Sequence, residues 1–170
     1  DEVRKWRSRY DQVWIETCPH YLTHDEDSDL VGIGKANPPF RSHDDLEALW
    51  EGIADGSIDI VASDHSARRR VTKDKPLWQA AQGFPGIATI LPVLLSEGHH
   101  KRGLPLSRIC QVLATNPAHI FDLEPVKGRI EVGSDADFTL VDLNRERKVI
   151  PAELGSHADY SLYENQTLKG

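Results

Sequence analysis

At 170 residues the chain is long enough for one domain with a real core, and 39% apolar with 28% charged residues is the balance of an ordinary globular protein. A formal net charge of −7 argues against a nucleic-acid surface; the basic runs Arg68-Arg69-Arg70 and His99-His100-Lys101-Arg102 are short, interrupted, and read as solvated loop charges. No apolar stretch approaches the roughly 20 residues that cross a bilayer, and Cys18 and Cys110 stand far apart, in no metal-ligand or disulfide spacing. They read as reduced thiols of a cytoplasmic protein with neither membrane nor nucleic acid as partner.

Val3, Trp6 and Tyr10 form a loose helical stripe followed by the apolar run Val13-Trp14-Ile15, which predicts the end of a helix leading into a strand that Pro19 stops. Ser42 with Asp45 three residues later has the pattern of a capping box, and Leu46, Leu49, Trp50, Ile53 and Ala54 recur at helical spacing until Gly56. This is the clearest helix in the chain. Ile58 to Ser66 is an apolar β-type run that stops abruptly at Asp64, which would place a carboxylate at the carboxyl end of a buried strand, where barrel enzymes keep their chemistry. Strand, long loop, helix, strand is the order expected of a parallel sheet or barrel.

Arg68 to Gly83 is polar and aperiodic, as in a long loop on a catalytic face. Gly86 to Glu97 is again helical in pattern, with Pro92 placed to distort it. Pro105 and Ser107 introduce a short helix carrying Ile109, Val112 and Leu113 and ending near Asn116-Pro117. Beyond Gly128 the period changes to two, through Ile130, Val132, Phe138, Leu140 and Leu143, marking a β-type unit that starts near residue 126.

Taken alone, Asp64 suits a structural cap as well as it suits catalysis. Asn37 precedes two prolines, which fits either a rigid polar group offered to a ligand or a stiff connector. Gln82-Gly83-Phe84 has glycine where main chain can approach a ligand closely. Four phrases stand in order along the chain: Glu16-Thr17-Cys18-Pro19-His20-Tyr21-Leu22, Lys35-Ala36-Asn37-Pro38-Pro39-Phe40-Arg41, Ser63-Asp64-His65-Ser66, and Lys127-Gly128-Arg129-Ile130-Glu131-Val132-Gly133-Ser134-Asp135-Ala136-Asp137. Together they resemble the cyclic-amide branch of the amidohydrolase superfamily, the dihydroorotases, allantoinases and hydantoinases.

The resemblance implies an α/β protein, with residues 1–125 forming the last βα units of a (β/α)8 TIM barrel and residues 126–170 beginning the C-terminal return to a small β-sandwich domain. It implies hydrolytic opening of a cyclic amide or ureide by a full-length enzyme, dimeric or tetrameric, that holds two zinc ions. Asp64 would ligate one metal and move a proton from the attacking hydroxide to the leaving nitrogen. Family members carry a His-x-His pair, a carboxylated lysine and two further histidines ahead of these phrases. No His-x-His occurs here, so the chain is expected to be a C-terminal piece, inactive alone.

By the same resemblance Asn37, Gln82 and Gly83 face the substrate. Arg68 stands where dihydroorotases place a histidine that helps hold the substrate carboxylate, which points to allantoin or a substituted hydantoin instead. His20, where hydantoinases tend to carry glutamine, reads as a polar support for its loop, and His65 should point to the face opposite Asp64. The rival reading is a non-catalytic hydantoinase-like scaffold that has lost its metal ligands, against which Asp64 counts.

Overall fold

Strand β1 (Glu16–Thr17) lies parallel to β2 (Ile60–Val61), with Glu16 opposite Ile60 and Thr17 opposite Val61. The structure, a computed structural model, describes residues 2–170 apart from the side chain of Arg4. Helix α1 (Glu2–Arg7) leads into β1, and the Arg7 guanidinium pairs with buried Asp59, whose carboxylate also accepts the Ile15 N–H at 2.7 Å. Parallel neighbours need a crossover. Here it passes through a 3-10 turn (Pro19–Leu22) and a long loop, then returns through α2 (His43–Asp55).

Helix α2 follows from its own residues. The Ser42 hydroxyl accepts the Asp45 N–H at 3.2 Å, the Asp45 carboxylate accepts the Ser42 N–H at 3.3 Å, and Gly56 ends the helix. The face carrying Leu46, Trp50 and Ile53 packs with Ile58 and Val61 and with Leu94, Leu95, Leu104, Ile109 and Val112. Burial of side chains this size contributes about 1.5–3 kcal/mol each. Trp50 also donates its indole N–H to the Leu22 carbonyl at 2.8 Å, and the Arg102 guanidinium lies 4.9 Å from its ring centre.

The remaining elements depart from expectation in instructive ways. The Arg68–Gly83 segment is not all loop: it contains α3 (Arg70–Lys73), and Lys73 is wholly buried. The next helix is 3-10 over Ile87–Thr89, α over α4 (Ile90–Val93) and π-type over Leu94–Lys101, so the irregularity expected around Pro92 is present. After α5 (Leu106–Cys110) and a π-type stretch (Gln111–Thr115) the chain does not stop at Pro117 but continues as α6 (Asn116–Ile120). Pro117 therefore lies within a continuous helical run, just after a π-type turn.

The basic runs are also less free than expected. Arg70 pairs with Glu164 and Arg69 with Asp159, while Lys101 pairs with Glu97 and Arg102 with Glu47. Beyond residue 126 the paired strands are β3 (Glu146–Lys148) and β4 (Thr167–Lys169), antiparallel, with Arg147 opposite Leu168. The alternating residues Ile130, Val132, Phe138 and Leu140 are all exposed, and no strand among the described residues pairs with them. Val149, Tyr160, Leu162, Tyr163 and Leu168 instead pack with Ala36, Phe84 and Val93. No helix among the described residues is long and apolar enough to cross a membrane.

Candidate active site

Four loops meet beyond the carboxyl ends of β1 and β2. Past β2, Ala62 still donates to the Thr17 carbonyl at 2.9 Å, and then the backbone turns: Asp64 has φ 46 and is exposed, and His65 resumes parallel pairing with Phe84. Ser66 donates its N–H to the Phe84 carbonyl at 2.9 Å, so the Asp64 loop and the Gln82-Gly83 loop run side by side. Gly83 has φ +80, and a Cβ there would sit 2.7 Å from the Cβ of Ser66. Both the dihedral and the space therefore demand glycine. Its N–H donates at 3.0 Å to the carbonyl of Lys35, bringing in the third loop.

That third loop carries Asn37, and it is held on both sides. The Lys35 carbonyl accepts Gly83 N–H and, at 2.9 Å, the Lys73 ammonium, while the Pro38 carbonyl accepts the Tyr21 hydroxyl at 2.7 Å. The asparagine itself is exposed. The side chains of Asp64, Asn37, Arg68 and Gln82 are all exposed and make no hydrogen bond or ion pair among the described residues. Pinned backbone beneath uncommitted polar groups is the arrangement a ligand site requires.

Beneath these groups the fourth loop forms an electrically quiet floor. Cys18 is buried, and burial, then the nearby charges of Asp64 and Glu16, push its thiol up to about 12. Burial, followed by Cys18 and Asp64, raises the Tyr21 phenol to about 12. His20 is buried edge-on against Phe84, ring centres 4.7 Å apart, and its Nε2 has no hydrogen-bond partner, the one such buried side-chain atom among the described residues. Burial and then His24 lower its pKa to about 3. Lys73, in the wall, is pushed down to about 8 by burial and then by Lys35 and Arg68.

The His20 shift gives stability a pH slope. Above about 6.5 neither folded nor unfolded chain protonates the ring, whereas between about 6.5 and 3 only the unfolded chain does, so stability falls as pH falls through that window. Going from pH 7 to 5 should cost the full-length protein about 2 kcal/mol through this residue. His20→Gln should flatten the slope in urea melts, and identical slopes in the two proteins would refute the assignment.

The left-handed turn at Asp64 interrupts the strand just before His65. Its Nδ1 accepts the N–H groups of Gly86 at 3.2 Å and Ile87 at 3.4 Å, which puts the ring proton on Nε2 and makes His65 a support for the next loop. Sequence reasoning missed Lys73, which looks like any loop lysine, and Tyr160, whose hydroxyl donates to the Gly83 carbonyl at 3.3 Å from far along the chain. A cavity of about 800 Å³ lies along α2 between Ile15, Tyr21 and Leu49 and does not include Asp64.

This chain is similar to a dihydroorotase of Halobacterium salinarum, 42% identical over 88% of this chain and 35% of that protein, and to an allantoinase of Rubrobacter xylanophilus, 38% identical over 96% and 37%. Its fold matches the L-hydantoinase (dihydropyrimidinase) of Arthrobacter aurescens with a TM-score of 0.92 and 32% identity, over 99% of this chain and 38% of that one. The chain thus spans a little over a third of the length of these relatives. Hydantoinases are TIM-barrel amidohydrolases, and the mixed α/β fold seen here, with β1 and β2 parallel, agrees with the α/β expectation. The amidohydrolase family matches residues 14–166, a span that takes in both strands, α2 and every loop that meets at Asp64, and the chain belongs to that family.

Proposed function

We propose that the full-length protein hydrolyses the ring of a cyclic amide or ureide, and that this chain supplies its proton-transferring carboxylate and one wall of its substrate pocket. The observation that carries this is the meeting of Asp64, Asn37, Arg68 and Gln82, exposed and uncommitted, on loops whose backbones are fixed to one another. Water attacks the ring carbonyl, the Asp64 carboxylate takes its proton, and the same proton passes to the nitrogen as the carbon–nitrogen bond breaks. Asn37, Gln82 and the Gly83 backbone orient the ring. Residues 1–125 are the closing units of the barrel in this reading, and residues 126–170 begin the small β-domain.

Members of the family are generally metal-dependent. Among the described residues no three of His, Cys, Asp and Glu gather as a metal site would require, so the residues here fit one ligand, Asp64, and not a complete centre. Two zinc ions in the full-length protein are part of the proposal. The isolated 170-residue chain should then retain no stoichiometric zinc and open no ring, because a stable site needs about four ligands; tight zinc found by metal analysis of that chain would contradict it.

Arg68 bears on the substrate. A long guanidinium in place of a short imidazole changes both reach and charge in that part of the pocket, so dihydroorotate should fit less well than allantoin or a substituted hydantoin. Comparing kcat/KM for dihydroorotate, allantoin, hydantoin and dihydrouracil on the zinc-loaded full-length protein tests both levels of the proposal. Dihydroorotate as best substrate overturns the argument from Arg68, and turnover of none of the four overturns the reaction class.

A further inference from the structure

We propose that Lys73 is a positioning residue that locks the Asn37 loop to the Gln82-Gly83 loop, so that substrate binding depends on it more than proton transfer does. The proposal rests on the reading that these two loops face the substrate. Lys73 is the last residue of α3 and has no exposed surface. Its ammonium donates to the Lys35 carbonyl at 2.9 Å and to the Ala81 carbonyl at 2.7 Å, and it lies 5.7 Å from the ring centre of Phe84. No carboxylate pairs with it among the described residues.

A buried ammonium without a counter-charge is costly, and a core that needed only filling would be served better by an aliphatic side chain. What the ammonium alone can do is bridge two carbonyls on different loops. One belongs to the residue two before Asn37, and the other to the residue just before Gln82. The surrounding bonds make the bridge a junction rather than an isolated contact. The Lys35 carbonyl that accepts Lys73 also accepts Gly83 N–H at 3.0 Å, and Ala81 N–H returns to the Thr72 carbonyl at 2.9 Å. On the other side Gly32 approaches so closely that a Cβ would lie 2.3 Å from the carbonyl oxygens of both Lys73 and Lys75. The Asp64 loop is held separately, by Ala62 to Thr17 and by Ser66 to Phe84.

The test is Lys73→Met in the full-length protein, which keeps the length and apolar stem and removes the donor. Amide hydrogen exchange at residues 81–83 should accelerate about tenfold or more while α2 is unchanged, as expected for losing two charge-assisted bonds. KM for the best cyclic substrate should rise about tenfold with kcat within about threefold. Lys73→Gln, a shorter neutral donor, should fall between the two. Unchanged exchange and KM overturn the proposal. So does acceleration spread evenly over the chain with a lower unfolding midpoint, or failure of both variants to fold, since either makes Lys73 a general support of the core. If the unmutated protein turns over no cyclic amide, the functional reading fails, and the exchange experiment still decides whether Lys73 joins the loops.

Discussion

Replacing Asp64 by asparagine in the full-length protein is expected to lower kcat at least about 10²-fold, the loss typical of removing a general acid–base group, while the unfolding midpoint stays where it was. The choice of asparagine is dictated by the backbone. Asp64 sits at φ 46, a conformation that asparagine adopts about as readily as aspartate and that alanine resists. An alanine variant would confuse loss of the carboxylate with distortion of the turn. A second signal should accompany the first: because the charge of Asp64 helps to hold the Cys18 thiol up, the variant's thiol should ionise at lower pH. Turnover retained at an unchanged midpoint would remove Asp64 from the reaction.

The largest expected loss of stability belongs to Trp50→Ala. The ring is buried at the centre of the α2 face, beneath the Arg102 guanidinium and beside Gly98, where an added Cβ would lie 3.0 Å from it. Truncation leaves a cavity and an unpaired Leu22 carbonyl, together about 3–5 kcal/mol. Urea unfolding of the full-length protein measures this directly. A loss below about 0.5 kcal/mol, the level of an ordinary surface change, would mean that α2 does not organise this core.

What could be read in the sequence was what the sequence specifies locally. Helix α2 carries its start in Ser42 and Asp45, its stop in Gly56 and its buried face in Leu46, Trp50 and Ile53, and each of these is where the pattern put it. The order of strand, helix and parallel strand was legible for the same reason. Asp64 was found at the mouth of the sheet, but its departure from strand geometry was not, because that turn answers to the pairing of His65 with Phe84 on a later loop. Lys73 and Tyr160 were invisible: the Tyr160 bond to Gly83 spans 77 positions, and a lysine in a polar stretch has the same pattern whether it is solvated or buried. The alternation of Ile130, Val132, Phe138 and Leu140 was seen correctly as a pattern, yet pairing needs a partner strand, and none among the described residues supplies it.

The quiet floor beneath Asp64 bears on what a rate–pH curve of the proposed full-length hydrolase would measure. Cys18 and Tyr21 ionise near 12 and His20 near 3, so between about pH 4 and 11 none of the three changes charge. Lys73, held near 8, does change charge within that range. The same neutrality has a kinetic benefit. In the proposed reaction, a floor that neither takes up nor releases protons cannot compete for the one passing through the exposed carboxylate of Asp64.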